Sequence, residues 1–294
     1  MTGPGSSTEA RRADLLLTAI APVVWGSTYI ATTALLPGFP PMTVAMLRAL
    51  PAGLLLLALV RELPAGIWWV RACVLGALNF SLFWSMLFVA AYRLPGGVAA
   101  TIGAVQPLIV ILLMPLLLAI PAGRRATVAA ATGLGGVALL ALTPQADLDP
   151  MGIAAALMGA ASMACGTVLS RKWRPPVSLL TFTAWQLTAG GLLIAPFALA
   201  LEPAMPAPST LNLLGLLWLG AIGAALGYIL WFRGIALLEP PLVSTLGFLS
   251  PMTAVLLGWV FLDQALTLLQ TMGALLVIAS SGSGTDLARA QMAA

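Results

Sequence analysis

A seven-residue pattern, T-x-G-x-x-x-P, occurs twice in this chain: as Thr101-Ile-Gly103-Ala-Val-Gln106-Pro107 and as Thr245-Leu-Gly247-Phe-Leu-Ser250-Pro251, at an offset of 144 positions (245 against 101). At the same offset Gly76-Ala77 falls on Gly220-Ala221, Trp84 on Tyr228, Phe88 on Phe232, Leu94 on Leu238 and Val98 on Leu242. Solenoid repeats run roughly 20–50 residues, so this repeat is half a protein rather than a solenoid unit. Each copy sets Gly and Pro inside a long apolar run. Proline removes a backbone hydrogen bond and glycine lets another helix come close. In a bilayer, such broken geometry is tolerated only against protein or a water-filled cavity. Gly103, Pro107, Gly247 and Pro251 are therefore expected to mark helix breaks or gating points. Glycine and proline are common in transmembrane helices, so the inference rests on the pairing and not on any one proline.

Composition fixes the class. Hydrophobic residues make up 61% of the 294 and charged residues 7%, against about 45–50% and about 25% in soluble domains. The reading is an all-α, polytopic membrane protein. The net charge of +4 comes from basic residues lying between apolar runs. It reports topology, and no nucleic-acid partner is expected. Histidine is absent, which removes imidazole as base, metal ligand or proton relay. Cys73 and Cys165 sit singly in apolar runs, so neither a disulfide framework nor a metal cluster is expected. No P-loop appears, so no ATP, no cofactor and no metal are expected, and no catalytic constellation points to an enzyme. Leu15 to Leu36 is too long for a signal peptide and reads as an uncleaved first helix.

Apolar windows of about 20 residues give ten spans, at 15–35, 42–60, 67–91, 96–118, 126–142, 151–170, 178–200, 211–236, 241–261 and 267–284. Short connections rich in Pro and Gly separate them, leaving no room for a soluble domain. The expected organisation is a cytoplasmic segment at 1–14, a first repeat at 15–142 with helices 1–5, a second at 151–284 with helices 6–10, and a cytoplasmic tail at 285–294. With the N-terminus inside, eleven of the thirteen basic residues fall on the cytoplasmic side, Arg93 falls outside and Arg48 lies within the second span. The excess of Lys and Arg inside predicts both termini cytoplasmic in a bacterial inner membrane. Five spans per repeat make the two copies inverted in topology, which places a substrate path between them near the mid-plane.

Several stretches resemble the drug/metabolite transporter superfamily, EamA-type family. They are Trp25-Gly26-Ser27-Thr28-Tyr29, Leu47-Arg48-Ala49, the tandem T-x-G-x-x-x-P segments, and Phe261-Leu-Asp263-Gln-Ala-Leu-Thr267 leading to Gln270-Thr-Met-Gly273. Within that family the chain is similar to bacterial exporters of the YddG type, associated with amino acids and with aromatic ones in particular. The resemblance covers about residues 15–284 and implies a ten-helix bundle around a central cavity. Ala119-Ile120-Pro121 stands where the family often carries an acidic residue, and Asp263 stands where Glu is usual.

Arg48 is the most informative single residue, because a guanidinium at helix centre costs about 2.5–3.5 kcal/mol on insertion scales. Either it snorkels, lying roughly 9 Å from the outer end of its helix, or it faces the cavity, where a substrate carboxylate is its bidentate partner. Trp25, Thr28, Tyr29 and Thr32 share one face of the first helix. On the seventh, Thr181, Trp185 and Thr188 do the same with Gln186 adjacent, and Trp185 aligns with Arg48 when Ala52-Gly53 is set on Ala189-Gly190. Asn79, Trp84, Gln106, Tyr228, Ser244 and Phe248 are further candidates for the cavity wall, with helix–helix bridging as the alternative for the polar ones. Trp68, Trp69, Trp173 and Trp218 divide between cavity and interface anchors. Gly220, Gly223 and Gly227 read as a close-packing face.

No Asp or Glu lies deep in any span, so no acid is placed to carry protons. The expected function is export of amino acids, or of related small metabolites, by alternating access with facilitated diffusion or exchange. The alternatives are an exporter of drugs or other metabolites, or a channel for a small neutral solute. The expected partners are the substrate and the lipid bilayer; nothing fixes the oligomeric state, and a monomer is plausible.

Overall fold

A computed structural model describes residues 4–119, 128, 131–133, 135–136, 139, 149–173, 175–237, 246–247, 249–276 and 278–279. Among these every regular element is helical. In chain order they are α1 (Pro4–Gly26), α2 (Thr28–Leu35), α3 (Pro41–Val60), α4 (Trp68–Gly76), a π-helical segment (Ala77–Leu82), α5 (Phe83–Arg93), α6 (Gly96–Gly103), α7 (Gln106–Leu118), α8 (Pro150–Lys172), α9 (Leu179–Leu201), α10 (Thr210–Leu217), a second π-helical segment (Trp218–Leu226), α11 (Gly227–Leu237) and α12 (Leu249–Leu262).

Among the described residues, six stretches are long and apolar enough to cross a membrane: Arg12–Leu35, Pro41–Val60, Trp68–Arg93, Pro150–Ser170, Leu179–Leu201 and Thr210–Trp231. They correspond to the first, second, third, sixth, seventh and eighth of the ten expected spans. A seventh is a bent pair, Gly96–Val110 and Leu112–Leu118, meeting at 41°. The bend falls at Ile111, four residues before Pro115, whose missing N–H leaves the Ile111 carbonyl without its helical donor. The ninth is described as the shorter helix Leu249–Leu262, and the tenth is helical over 268–276. Most of the fifth span, 126–142, and the tail lie outside the described residues.

Local chemistry sets the ends. Asp149 caps α8 by accepting from the N–H groups of Met151 and Gly152, with Pro150 in the first turn. Ser178 does the same for α9 through Thr181. Ser209 and Asn212 form a capping box at α10. The proline of the repeated pattern explains the gap between α6 and α7. Pro107 has no N–H to offer the Gly103 carbonyl, and α6 ends at Gly103.

The helix pairings come in twos. α3 packs along α9; α1 packs on α11 as α8 does on α5; α1 meets α12 as α8 meets α7; the first π-helical segment touches α9 as the second touches α3. The π-helical segments themselves occupy matching places, since 77–82 shifted by the 144-residue offset lies within 218–226. Contact between α3 and α9 is close enough to require glycine. A Cβ on Gly53 would fall 2.5 Å from the Thr188 nitrogen, and one on Gly191 would fall 2.7 Å from the Leu50 Cα. Outward faces carry exposed leucines such as Leu116, Leu199 and Leu268, as lipid contact requires.

Candidate functional site

Arg48 lies seven residues into α3 and is only 3% exposed. Its stem does not carry the charge to the helix end. The guanidinium lies 4.4 Å from the ring centroid of Trp84 and 5.9 Å from that of Phe88, both on α5. A cation over an aromatic face contributes about 2 kcal/mol or more when desolvated, which offsets part of the burial cost. Nη1 donates to the Thr28 hydroxyl at 3.3 Å, and Nε has no hydrogen-bond partner among the described residues. The Tyr29 and Tyr228 hydroxyls lie within its electrostatic reach. Gly223, in the second π-helical segment, lies against the guanidinium: a Cβ there would stand 3.6 Å from Nη2.

Around this cation runs a chain of aromatic rings. Trp84 meets Phe80 at 5.1 Å, Phe80 meets Tyr228 at 5.7 Å, Tyr228 meets Trp25 at 5.4 Å, and Trp25 meets Trp231 at 5.3 Å, each tilted or edge-on. Such geometries follow from the ring quadrupole. Trp25 Nε1 donates to the Gly223 carbonyl at 2.8 Å, a carbonyl carried by the π-helical segment. Tyr29 packs against α6, where a Cβ on Gly96 would fall 2.9 Å from its own Cβ, and its hydroxyl lies 3.9 Å from a Cβ built on Gly103. Arg48, Trp84, Tyr228, Trp25 and Tyr29 thus converge from four parts of the chain.

Other candidates lie elsewhere. Trp185 donates to the Glu62 carbonyl at 2.6 Å and packs near Trp68 and Phe182. Glu62 is fourteen positions after Arg48, roughly 21 Å along a helix, so Trp185 serves the opposite end of the α3–α9 pair. Asn79 Nδ2 donates to Gln186 Oε1 at 2.6 Å, a buried bond between the first π-helical segment and α9. Asn79 Oδ1 lies against the backbone of Gly166 without a hydrogen bond. Gln106 reaches Thr167 on α8 at 3.3 Å. Pro251 is buried within α12 and Gly247 is helical. The backbone of Pro107 opens α7, while its side chain, Ser244 and Phe248 lie outside the described residues.

Phe80 and Phe88 had no signal beyond being aromatic in apolar spans, although Phe88 shares the repeat offset with Phe232. Thr28 stood on the polar face of the first helix. Ser27 and Trp218, which hydrogen-bond to each other at 2.8 Å, were separated by 191 residues that no local pattern bridges.

A sequence model described as the EamA-like transporter family matches residues 13–142 and 150–282. Protein PecM of Dickeya dadantii (strain 3937) is 47% identical over 262 residues, covering 88% of each chain. An uncharacterized inner membrane transporter of Escherichia coli K12, YedA, is 29% identical over 80% of this chain and 78% of its own. A probable amino-acid metabolite efflux pump of Salmonella typhimurium is 24% identical over 91% of this chain and 93% of its own. A solved crystal structure superimposes with a TM-score of 0.66 at 22% identity, over 95% of this chain and 98% of that one. At that identity the likeness bears on the fold alone.

Proposed function

This chain belongs to the EamA-like transporter family of the drug/metabolite transporter superfamily, and on that premise we propose that it is an inner-membrane carrier exporting amino acids, aromatic and other neutral ones, or related metabolites that bear a carboxylate. The observation that carries this reading is Arg48. It is a buried cation with an unpartnered Nε, and a carboxylate is the ligand that fits a guanidinium's planar fork. The aromatic chain from Trp84 to Trp231 offers the apolar or aromatic part of such a substrate a stacking surface. The relationship to a probable amino-acid metabolite efflux pump is consistent with this class. The runner-up is export of drugs, which the same aromatic chain would also receive; a channel for a small neutral solute stands third.

Two inverted five-helix repeats, 15–142 and 151–284, would give the carrier its two faces, with both termini cytoplasmic. The doubled helix pairings and the matching π-helical segments support that division. Among the described residues, the acidic side chains Asp14, Glu62, Asp149, Glu202 and Asp263 all lie within three residues of a helical span's end. Facilitated diffusion or exchange, without a proton-carrying acid at mid-membrane, is the mechanism this favours.

The test is uptake of labelled phenylalanine, methionine and threonine into proteoliposomes, with and without the same amino acid preloaded. Uptake should saturate and accelerate on preloading. Arg48→Ala should abolish it, while Arg48→Lys, which keeps the charge but not the fork, should raise KM. Uptake equal to that of empty liposomes for every amino acid would reject the substrate class, and uptake without saturation or counterflow would indicate a channel.

A further inference from the structure

The first span carries a single turn residue within it, Ser27, between α1 and α2. The Ser27 backbone keeps its helical bonds, its N–H shared between the Val23 and Val24 carbonyls at 3.3 and 3.1 Å and its carbonyl accepting from Ala31 at 2.9 Å, and side chains add to them. Ser27 Oγ donates to the Val24 carbonyl at 2.6 Å and accepts the indole N–H of Trp218 at 2.8 Å. Two residues earlier, the indole of Trp25 donates to the Gly223 carbonyl at 2.8 Å. Both indole bonds join the first span to one partner, the π-helical segment Trp218–Leu226, and they bracket Gly26. π-Helical turns leave backbone groups displaced from the regular ladder and often occur at functional sites. Here the Gly223 carbonyl is taken by a side chain from another span.

The residue immediately after the turn is Thr28, which is 2% exposed and whose hydroxyl receives Arg48 Nη1 at 3.3 Å. The residue on the other side of the guanidinium is Gly223, the acceptor for Trp25. The turn, the π-helical segment and the cation therefore share one network. Trp218 is 39% exposed, as an interface anchor would be, yet an anchor has no need of a partner 191 residues away in the chain.

We propose that Trp218 is a positioning residue for Arg48: its indole N–H, seated on Ser27 Oγ, fixes the turn within the first span and through it the Thr28 hydroxyl that meets the guanidinium. This rests on Arg48 as the substrate-binding cation. Removing the indole N–H leaves the turn at Ser27 held only by its own backbone bonds and the Val24 carbonyl, and the Thr28 hydroxyl that orients the guanidinium is placed less firmly.

The experiment compares Trp218→Phe, Ser27→Ala, the double variant, Ser27→Thr and the control Trp69→Phe, an exposed tryptophan at the start of α4. Two readouts are taken: amide hydrogen exchange over residues 23–32 in nanodiscs, and the KM and maximal rate of phenylalanine uptake. Trp218→Phe and Ser27→Ala should each speed exchange in that segment. Each should also raise KM about three- to tenfold, the loss of one hydrogen bond, at an unchanged maximal rate. The double variant should be no worse than either single, and Ser27→Thr, which keeps the hydroxyl, should stay near wild type. If Trp218→Phe matches Trp69→Phe in both readouts, Trp218 is an anchor and the proposal falls. If the wild type moves no amino acid, the substrate reading falls by itself, and exchange over 23–32 still decides whether Trp218 fixes the turn.

Discussion

Glu202 and Thr43 tie the end of one helix to the start of another: the carboxylate one residue beyond α9 accepts the Thr43 backbone N–H at 2.7 Å and the Thr43 hydroxyl at 2.9 Å. Its other oxygen takes the N–H of Met42 at 2.7 Å. α3 begins at Pro40-Pro41 and has no side-chain cap of its own, so Glu202 supplies from a distance what a local Ser or Asp supplies elsewhere. At the opposite end of the pair, Glu62 accepts from the Thr181 hydroxyl at 3.4 Å and its carbonyl takes the Trp185 indole. Each helix thus ends in a glutamate set at the start of the other.

Glu202→Ala should therefore destabilise the α3–α9 pair by about 1–2 kcal/mol, the loss of a cap with a charge favourable to the helix dipole. A lower unfolding midpoint in detergent is the expected measurement. An unchanged midpoint would mean that the free N–H groups of α3 find water instead.

Asp149 gives a pH dependence of definite sign. The hydrogen bond from Arg93, then the one from the Met151 N–H, hold its carboxyl below the ordinary value of 3.8. A carboxylate favoured in the folded state stabilises fully above the unfolded pKa, and the contribution is lost as pH falls through the lower folded value. The stability difference between wild type and Asp149→Asn should be constant at neutral pH and shrink only below about pH 4. A difference that shrank between pH 8 and pH 6 would contradict this assignment. Asp14–Arg233 is the counterpart pair, joining α1 to α11 as Arg93–Asp149 joins α5 to α8.

The Asn79–Gln186 bond is buried on both sides. Bonds of this kind between packed membrane helices have coupling energies of about 0.6 kcal/mol on average and at most about 1.7. Asn79→Leu and Gln186→Leu should each destabilise, because each strands the other amide. The double-mutant cycle should recover a coupling within that range; a coupling near zero would show that water replaces either partner.

Gly53 and Gly220 should respond differently to alanine. A methyl on Gly53 meets backbone at 2.5 Å and would force α3 from α9, costing about 1–3 kcal/mol. A methyl on Gly220 finds its nearest neighbour at 3.6 Å, ordinary contact, and should change the midpoint little. Equal effects would contradict the packing described.

The sequence by itself determined the class, the approximate ends of the described spans and the presence of a cation, Arg48, inside one of them. A bilayer demands about 20 apolar residues for each helical crossing, with internally satisfied backbones, and penalises a buried guanidinium wherever it occurs. These are local demands, legible in a window. The break after Gly103 was legible for the same reason, since Pro107 acts on a carbonyl four residues back. Tertiary structure alone decided the partners. Arg48 aligns with Trp185 when Ala52-Gly53 is set on Ala189-Gly190, yet it lies over Trp84 and beside Thr28, while Trp185 sits at the far end of the helix pair. Gly223 looked like a packing residue and proves to accept Trp25 through its carbonyl; Trp218 divided between cavity and interface and proves to bond Ser27. Which side chain meets which across spans depends on helix rotation and crossing, set by the sum of many contacts between segments distant in the chain, and no single window of sequence contains that sum.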